Sequence, residues 1–378
     1  MPDSSKLRRR LAETCLELVK IPSVTGDEQA ITDHLERWAL ALPRLGPDDI
    51  FRYDNCLVVG TTSDTKPSVA LVGHTDTVPP EEDYAGARLT DTHVVGLGAS
   101  DMKGALAVMQ VLFEVLDIED LPFAPVLVFY DKEEGPYADN GLGPLLEAHE
   151  TLRDVDLAIA MEPTDNDIHL GCVGSIQAKV TFRGKAAHSG RPWEGENAIH
   201  AAGELLSKLA DRPYEEVVVE GLTFRQAMTV TLAQGGRARN VVPDKFELTV
   251  NHRFAPRGRP EDATADAVAE LRRVIGSAEV EIMDIAPPGP VPVDNPVLEH
   301  LHTHAHLDVK PKQAWTDVAR LAANGIDAIN FGPGAPSQAH QAGEHIRIDA
   351  LVESFDVLSR VLSTPLVDLP EPDPDMLT

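Results

Sequence analysis

Val69-Ala70-Leu71-Val72-Gly73-His74-Thr75-Asp76 runs from an apolar stretch of buried-strand length directly into two side chains with ligand chemistry, and this junction decides the fold. Two more apolar runs, residues 126–130 and 157–161, have the same character. Asp131, Glu133 and Glu134 follow the first of these, and Glu162 follows the second. Segments of helical periodicity such as residues 104–116 lie between the runs, so the alternation predicts an α/β sheet with helices on both faces. Open α/β sheets bind ligands beyond the carboxyl ends of their strands, which would gather these side chains in one crevice. A further acid, Asp101, follows the turn Gly96-Leu97-Gly98 and precedes the helix opening at Gly104.

Outward from this core, helices are expected over residues 7–19 and 27–40. The middle of the chain reads as strand 176–183, helix 197–209, strands 228–233 and 245–253, helix 262–275 and strand 279–285. That order is the β-α-β-β-α-β of a ferredoxin-like unit. A proline-rich connector over 286–296 follows, then a strand at 328–331 and a closing helix at 350–362. Residues 175–287 are therefore expected to form an α+β domain inserted into an α/β domain of residues 1–174 and 288–378. The acidic, proline-rich tail after Pro365 is expected to be loosely ordered.

The chain has 378 residues, room for about two domains. Its net charge of −28 excludes a nucleic-acid partner, which needs a basic face. Anionic substrates would have to be captured by local arginines against that field. No apolar run is long enough to span a bilayer, and the basic N-terminus (Lys6, Arg8, Arg9, Arg10) lacks an apolar leader segment, so no membrane association and a cytoplasmic location are expected. Cys15, Cys56 and Cys172 are scattered and odd in number, which suits reduced, buried thiols.

Taken singly, the ligand-type residues have ordinary explanations, because His-x-Asp is often a surface turn and paired glutamates are often solvated. Taken together at strand ends they do not: carboxylates sharing a cleft repel one another unless cations neutralise them. Histidine, aspartate and glutamate without thiolate suit zinc, with cobalt or manganese as substitutes. Either Glu133 or Glu134 is then expected to stay off the metal as a general base. Asp76, two residues beyond His74, is spaced to orient the imidazole. His300, His302, His304 and His306 form i,i+4 pairs but lack the glutamate of H-E-x-x-H, and they read as an exposed polar helix. The Gly96-Leu97-Gly98 turn lacks the third glycine and basic partner of a nucleotide-binding loop.

The sequence resembles the co-catalytic zinc exopeptidases and deacylases. The likeness is carried by Gly73-His74-Thr75-Asp76-Thr77-Val78-Pro79, Gly98-Ala99-Ser100-Asp101-Met102-Lys103-Gly104 and Glu133-Glu134-Gly135. Met161-Glu162-Pro163, Gly184-Lys185-Ala186-Ala187-His188-Ser189 and Ala339-His340-Gln341 add to it, and it extends from Ile21-Pro22-Ser23-Val24-Thr25-Gly26 to the closing helix. The resemblance implies a zinc-exopeptidase-like catalytic domain with a ferredoxin-like lid and dimerisation domain. It implies two zinc ions, one on His74 and Glu162, the other on Glu134 and His340, bridged by Asp101 ahead of a cis peptide. Glu133 becomes the general base and Asp76 the orienting acid. His188 becomes a lid histidine that reaches the active site of a partner in a homodimer and stabilises the oxyanion. Asn240, Arg253, Thr316, Arg320, Gly332 and Gly334 resemble substrate-holding positions, and arginines suit a substrate with several carboxylates. The implied reaction is removal of succinate from N-succinyl-LL-2,6-diaminopimelate in diaminopimelate and lysine biosynthesis. Deacylation of another N-acyl amino acid, as in acetylornithine, or peptide cleavage are the alternatives. Leu97, where many relatives have arginine, and Lys132 depart from the family pattern.

Overall fold

The computed structural model describes residues 4–82 and 84–366. The chain divides into two compact units: one runs to Leu170 and takes in Pro292–Lys310 and the chain from Thr316 on, the other holds Gly171–Val291 and Pro311–Trp315. The acidic tail lies, from residue 367 on, outside the described residues.

The first unit contains an eight-stranded mixed sheet. At its centre Ala124–Tyr130, Ser68–His74, Leu157–Ala160 and Ala328–Asn330 lie side by side and parallel. Every residue of Ser68–His74 is buried, as a strand covered on both faces requires. The helix Gly104–Val115 is buried from Gly104 through Phe113 because it is apolar on nearly every side. Helices Ser4–Val19 and Ile348–Ser363 join it in one core through Leu11, Leu18, Phe355 and Leu358. Parallel pairing aligns the strand ends: His74 lies opposite Tyr130, and Val72 opposite Ala160. Two residues further on, Glu162 comes level with His74, so the pairing itself collects the ligand-type residues. The three cysteines are free and buried, as expected.

The second unit is an antiparallel sheet in the order Glu215–Val219, Leu222–Gly235, Lys245–Phe254, Gly174–Arg183, Glu279–Ala286. Its core joins Ile176 and Val250 of the sheet to Leu205 of the helix Gly203–Ala210 and Leu271 of the helix Pro260–Ile275. The β-α-β-β-α-β order is present with two differences. The helix expected over 197–209 is split into Ala198–Ala201 and Gly203–Ala210, with Asn197 capping the first by accepting from the N–H of Ile199 and His200. The edge strand Glu215–Val219 is additional; most of its side chains are exposed, so no buried face marks it in the sequence. Pro311–Trp315 belongs to this unit because the Gln313 side chain accepts from the Arg225 N–H at 3.1 Å and donates to the Thr223 carbonyl at 3.2 Å. Among the described residues no helix is long and apolar enough to cross a membrane.

Candidate metal centre

His74 ends its strand 1% exposed. Its Nδ1 lies 3.1 Å from the Asp76 backbone carbonyl, which can only accept, so Nδ1 carries the proton and Nε2 turns toward Asp101, 3.2 Å from Oδ1. The Asp76 carboxylate is fully buried and does more than orient this ring, which its Oδ1 approaches only to 3.5 Å. It accepts the N–H of Glu133 and of Glu134, each at 3.0 Å, and the Thr25 hydroxyl at 2.9 Å. Burial alone would raise its proton affinity, but His74, the Glu134 amide and Thr25 hold its carboxyl below the usual range.

Asp101 lies in the turn before the helix Gly104–Val115, and the Asp101–Met102 peptide is cis. His340 Nε2 is 2.8 Å from Glu134 Oε1 and 3.9 Å from Asp101 Oδ2. Two triads result, His74–Asp101–Glu162 and Asp101–Glu134–His340, each with ligand atoms within 4.8 Å of one another. Ligands bound at about 2.1 Å to a tetrahedral ion stand about 3.4 Å apart, so both triads fit divalent cations of zinc type. Asp101 is the residue they share. Glu133 also comes within the same reach of His74 and Glu134, so distance alone does not separate base from ligand.

The electrostatics point the same way. Burial pushes the Glu133 carboxyl well above its ordinary value; His74 opposes this, while Glu162, Glu134 and Asp317 add to it. For His74, burial works against the imidazolium, yet hydrogen bonds to Asp101 and Asp76 and the charges of Glu133 and Glu162 overcome it. A cluster that holds protons this firmly is short of positive charge, which a divalent ion supplies.

Other expected site residues fall differently. The Thr316 hydroxyl donates to Asn330 Oδ1 at 2.7 Å and is buried. Arg320 donates from Nε to Asp317 at 2.8 Å and from a terminal nitrogen to the Tyr137 carbonyl at 2.7 Å, with its guanidinium 4.1 Å from the Tyr137 ring centroid. Arg320 is thus engaged by Asp317 and Tyr137 within the first unit. Gly332 and Gly334 are close-approach positions: a Cβ would stand 2.3 Å from the Met161 carbonyl oxygen at the first and 2.1 Å from that of Ser100 at the second. Asp131 is buried, taking the Cys56 thiol at 3.4 Å and Lys132 Nζ at 3.3 Å.

In the second unit His188 and Asn240 are exposed on neighbouring segments, joined by the Ser189 N–H donating to the Asn240 carbonyl at 2.9 Å. His188 Nδ1 accepts from the Gly190 N–H at 3.0 Å, which leaves Nε2 as the proton-bearing nitrogen. Arg253 is half-buried in the strand Lys245–Phe254; its Nε donates to Asn251 Oδ1 at 3.1 Å, and no ion pair to an acid is formed by it among the described residues.

Two participants were missed. Asp317, fully buried, accepts from Tyr130, Asn140 and Arg320, each at 2.8 Å. Glu344 is 3% exposed and accepts from three amides of the turn that carries Asp101; burial nevertheless pushes its carboxyl up to about 7. Only the acid-to-Arg320 spacing of i,i+3 and the nearness of Glu344 to His340 in the chain hinted at them.

Comparison with known proteins supports the same grouping. The succinyl-diaminopimelate desuccinylase of Corynebacterium glutamicum is 35% identical over 350 residues, covering 92% of this chain and 94% of that protein. A Mycobacterium tuberculosis protein provisionally given the same name is 35% identical over 360 residues, covering 94% and 99%. Residues 170–279 match the peptidase dimerisation domain of the M20 group. The chain belongs to the M20 family. An M20 metallo-carboxypeptidase from Sulfolobus solfataricus shares the fold, with a TM-score of 0.73 at 18% identity over 94% of this chain and 99% of that one. M20 membership makes the chain a metal-dependent hydrolase of amide bonds, and the paired triads are its candidate metal sites. The M20 dimerisation domain is a module for oligomer formation.

Proposed function

We propose that the chain is a dinuclear zinc amidohydrolase that removes the succinyl group from N-succinyl-LL-2,6-diaminopimelate, releasing succinate and diaminopimelate. The observation that carries this reading is the pair of triads meeting at Asp101 beside a second glutamate with a raised proton affinity. His74, Asp101 and Glu162 would hold one zinc, and Asp101, Glu134 and His340 the other. Bound there, the ions act as Lewis acids that lower the pKa of water and polarise the amide carbonyl. Glu133 takes the proton of the attacking water and returns it to the leaving amine nitrogen. Asp76 holds the Glu133 amide through its carboxylate and the His74 ring through its backbone carbonyl, and so keeps base and ligand in register. His188 donates Nε2–H to the oxyanion, a role supported by the acceptor state of its Nδ1. In this reading His188 serves a second copy, the enzyme is a homodimer through the inserted domain, and it works in the cytoplasm.

The succinyl preference is supported by the names of the relatives at 35% identity and by Arg253, a half-buried guanidinium without an acid partner among the described residues of an acidic chain. Burial without a counter-charge lowers its proton affinity, a cost that a bound carboxylate offsets. The test is to strip the protein of metal, restore zinc, and compare hydrolysis of N-succinyl-diaminopimelate, N-acetylornithine and a dipeptide. The succinyl substrate should lead by about 100-fold or more in kcat/KM. A higher value on acetylornithine or the dipeptide would replace the assigned substrate.

A further inference from the structure

Beneath the paired triads lies a buried acid to which the mechanism gives no task. Glu344 Oε2 accepts from the Gly98 N–H at 2.7 Å, while Oε1 accepts from the N–H of Ser100 at 2.7 Å and of Asp101 at 2.9 Å. Its backbone carbonyl accepts from the Gly96 N–H at 2.9 Å, and its own N–H donates to the Gln341 carbonyl at 3.1 Å. One residue thus ties the turn bearing Asp101 to the segment bearing His340.

The chemistry of this cradle requires a carboxylate. The three amides point at the same two oxygens, and an ionised carboxylate offers about four acceptor sites, whereas an amide side chain would bring N–H groups against N–H groups. Charge-assisted hydrogen bonds of this kind are roughly twice as strong as neutral ones. The oppositely charged Lys103, 2% exposed and donating to the Ile21 carbonyl at 2.7 Å, accompanies the acid in the interior. Asp101 is the member common to both triads, so a shift of its turn reaches both at once.

We propose that Glu344 is the positioning residue for Asp101, holding the shared carboxylate where both divalent ions meet it and fixing the His340 segment against the same turn. This rests on the metal-centre reading above. The experiment is competition of zinc against a fluorescent chelator with the full-length protein, alongside circular dichroism and the visible spectrum of the cobalt-loaded form. The parent should bind two ions; a parent that binds none overturns the metal-centre reading itself, before any variant is made. Glu344→Gln should weaken both sites by about 10- to 100-fold and alter the cobalt spectrum, measured well below its melting temperature. Glu344→Asp, which keeps the charge but shortens the reach, should lie between the two, and it carries the test if the glutamine variant does not fold. A folded variant that binds both ions within about two-fold of the parent, or that weakens only one site, overturns the proposal even if it melts earlier.

Discussion

Glu133 and Glu134 are neighbours of identical chemistry, and only their surroundings part them. Glu134 pairs with His340 and shares a triad with Asp101, while Glu133 faces His74 and the charges of Glu162 and Asp317. Glu133→Ala should therefore lower kcat on the order of 10³-fold while metal analysis still finds two ions per chain. A variant that keeps its rate would move the base elsewhere. The same dependence on surroundings separates Arg320 from Arg253. Both are arginines in an acidic chain, but Arg320 closes on Asp317 and Tyr137, whereas Arg253 is held by Asn251 alone among the described ion-pair and hydrogen-bond partners. Residue type does not reveal which guanidinium is already engaged; the neighbours in space do.

The helix Pro296–Ala305 shows how an element can mislead. Its four nearby histidines suggested a solvated polar face, yet His300 is 3% exposed and sits against Phe123 with ring centroids 5.2 Å apart. Its Nε2–H donates to the Val361 carbonyl of the helix Ile348–Ser363 at 3.1 Å. That expectation is corrected for His300, while His302 and His306 are exposed: a histidine can close a helix–helix contact when its ring N–H reaches a carbonyl in the last turn of the facing helix. Burial lowers the proton affinity of His300, the Val361 bond partly restores it, and His304 opposes protonation further. Its folded pKa therefore lies below the unfolded value of about 6.5, and the unfolded chain binds the extra proton between the two. The neutral contact is fully present above pH of about 6.5 and is lost as pH falls through the folded pKa. The melting temperature should fall across that window, and His300→Gln should flatten the fall; an identical slope in the variant would show that the drop arises elsewhere. Edge strand Glu215–Val219 misleads in the opposite sense, since pairing with Leu222–Thr223-Phe224 and the residues after it defines it while its own side chains stay mostly in water.

At the scale of the whole molecule, the first unit carries every residue of both triads, and the second matches a dimerisation domain. The His188 assignment needs a second copy, so the purified chain should sediment as a dimer. Full activity from a monomer at working concentration would remove His188 from the reaction. The net charge of −28 adds a constraint: long-range attraction does not gather an anionic substrate, and local guanidinium groups have to.

Chemistry that travels with residue type and order was legible in the amino-acid chain. Apolar runs followed by His74, by Glu133 and Glu134, and by Glu162 announced an α/β sheet with candidate metal-ligating side chains at its margin, because strand period and ligand chemistry are local properties. Tertiary structure alone decided which acid sits under Asp101, which arginine is already paired, and which histidine is buried. Those outcomes depend on groups far apart in the chain competing for one set of hydrogen bonds in a space closed to water. Glu344, Asp317 and His300 acquire their roles only when the turn, the strand end and the helix that face them arrive.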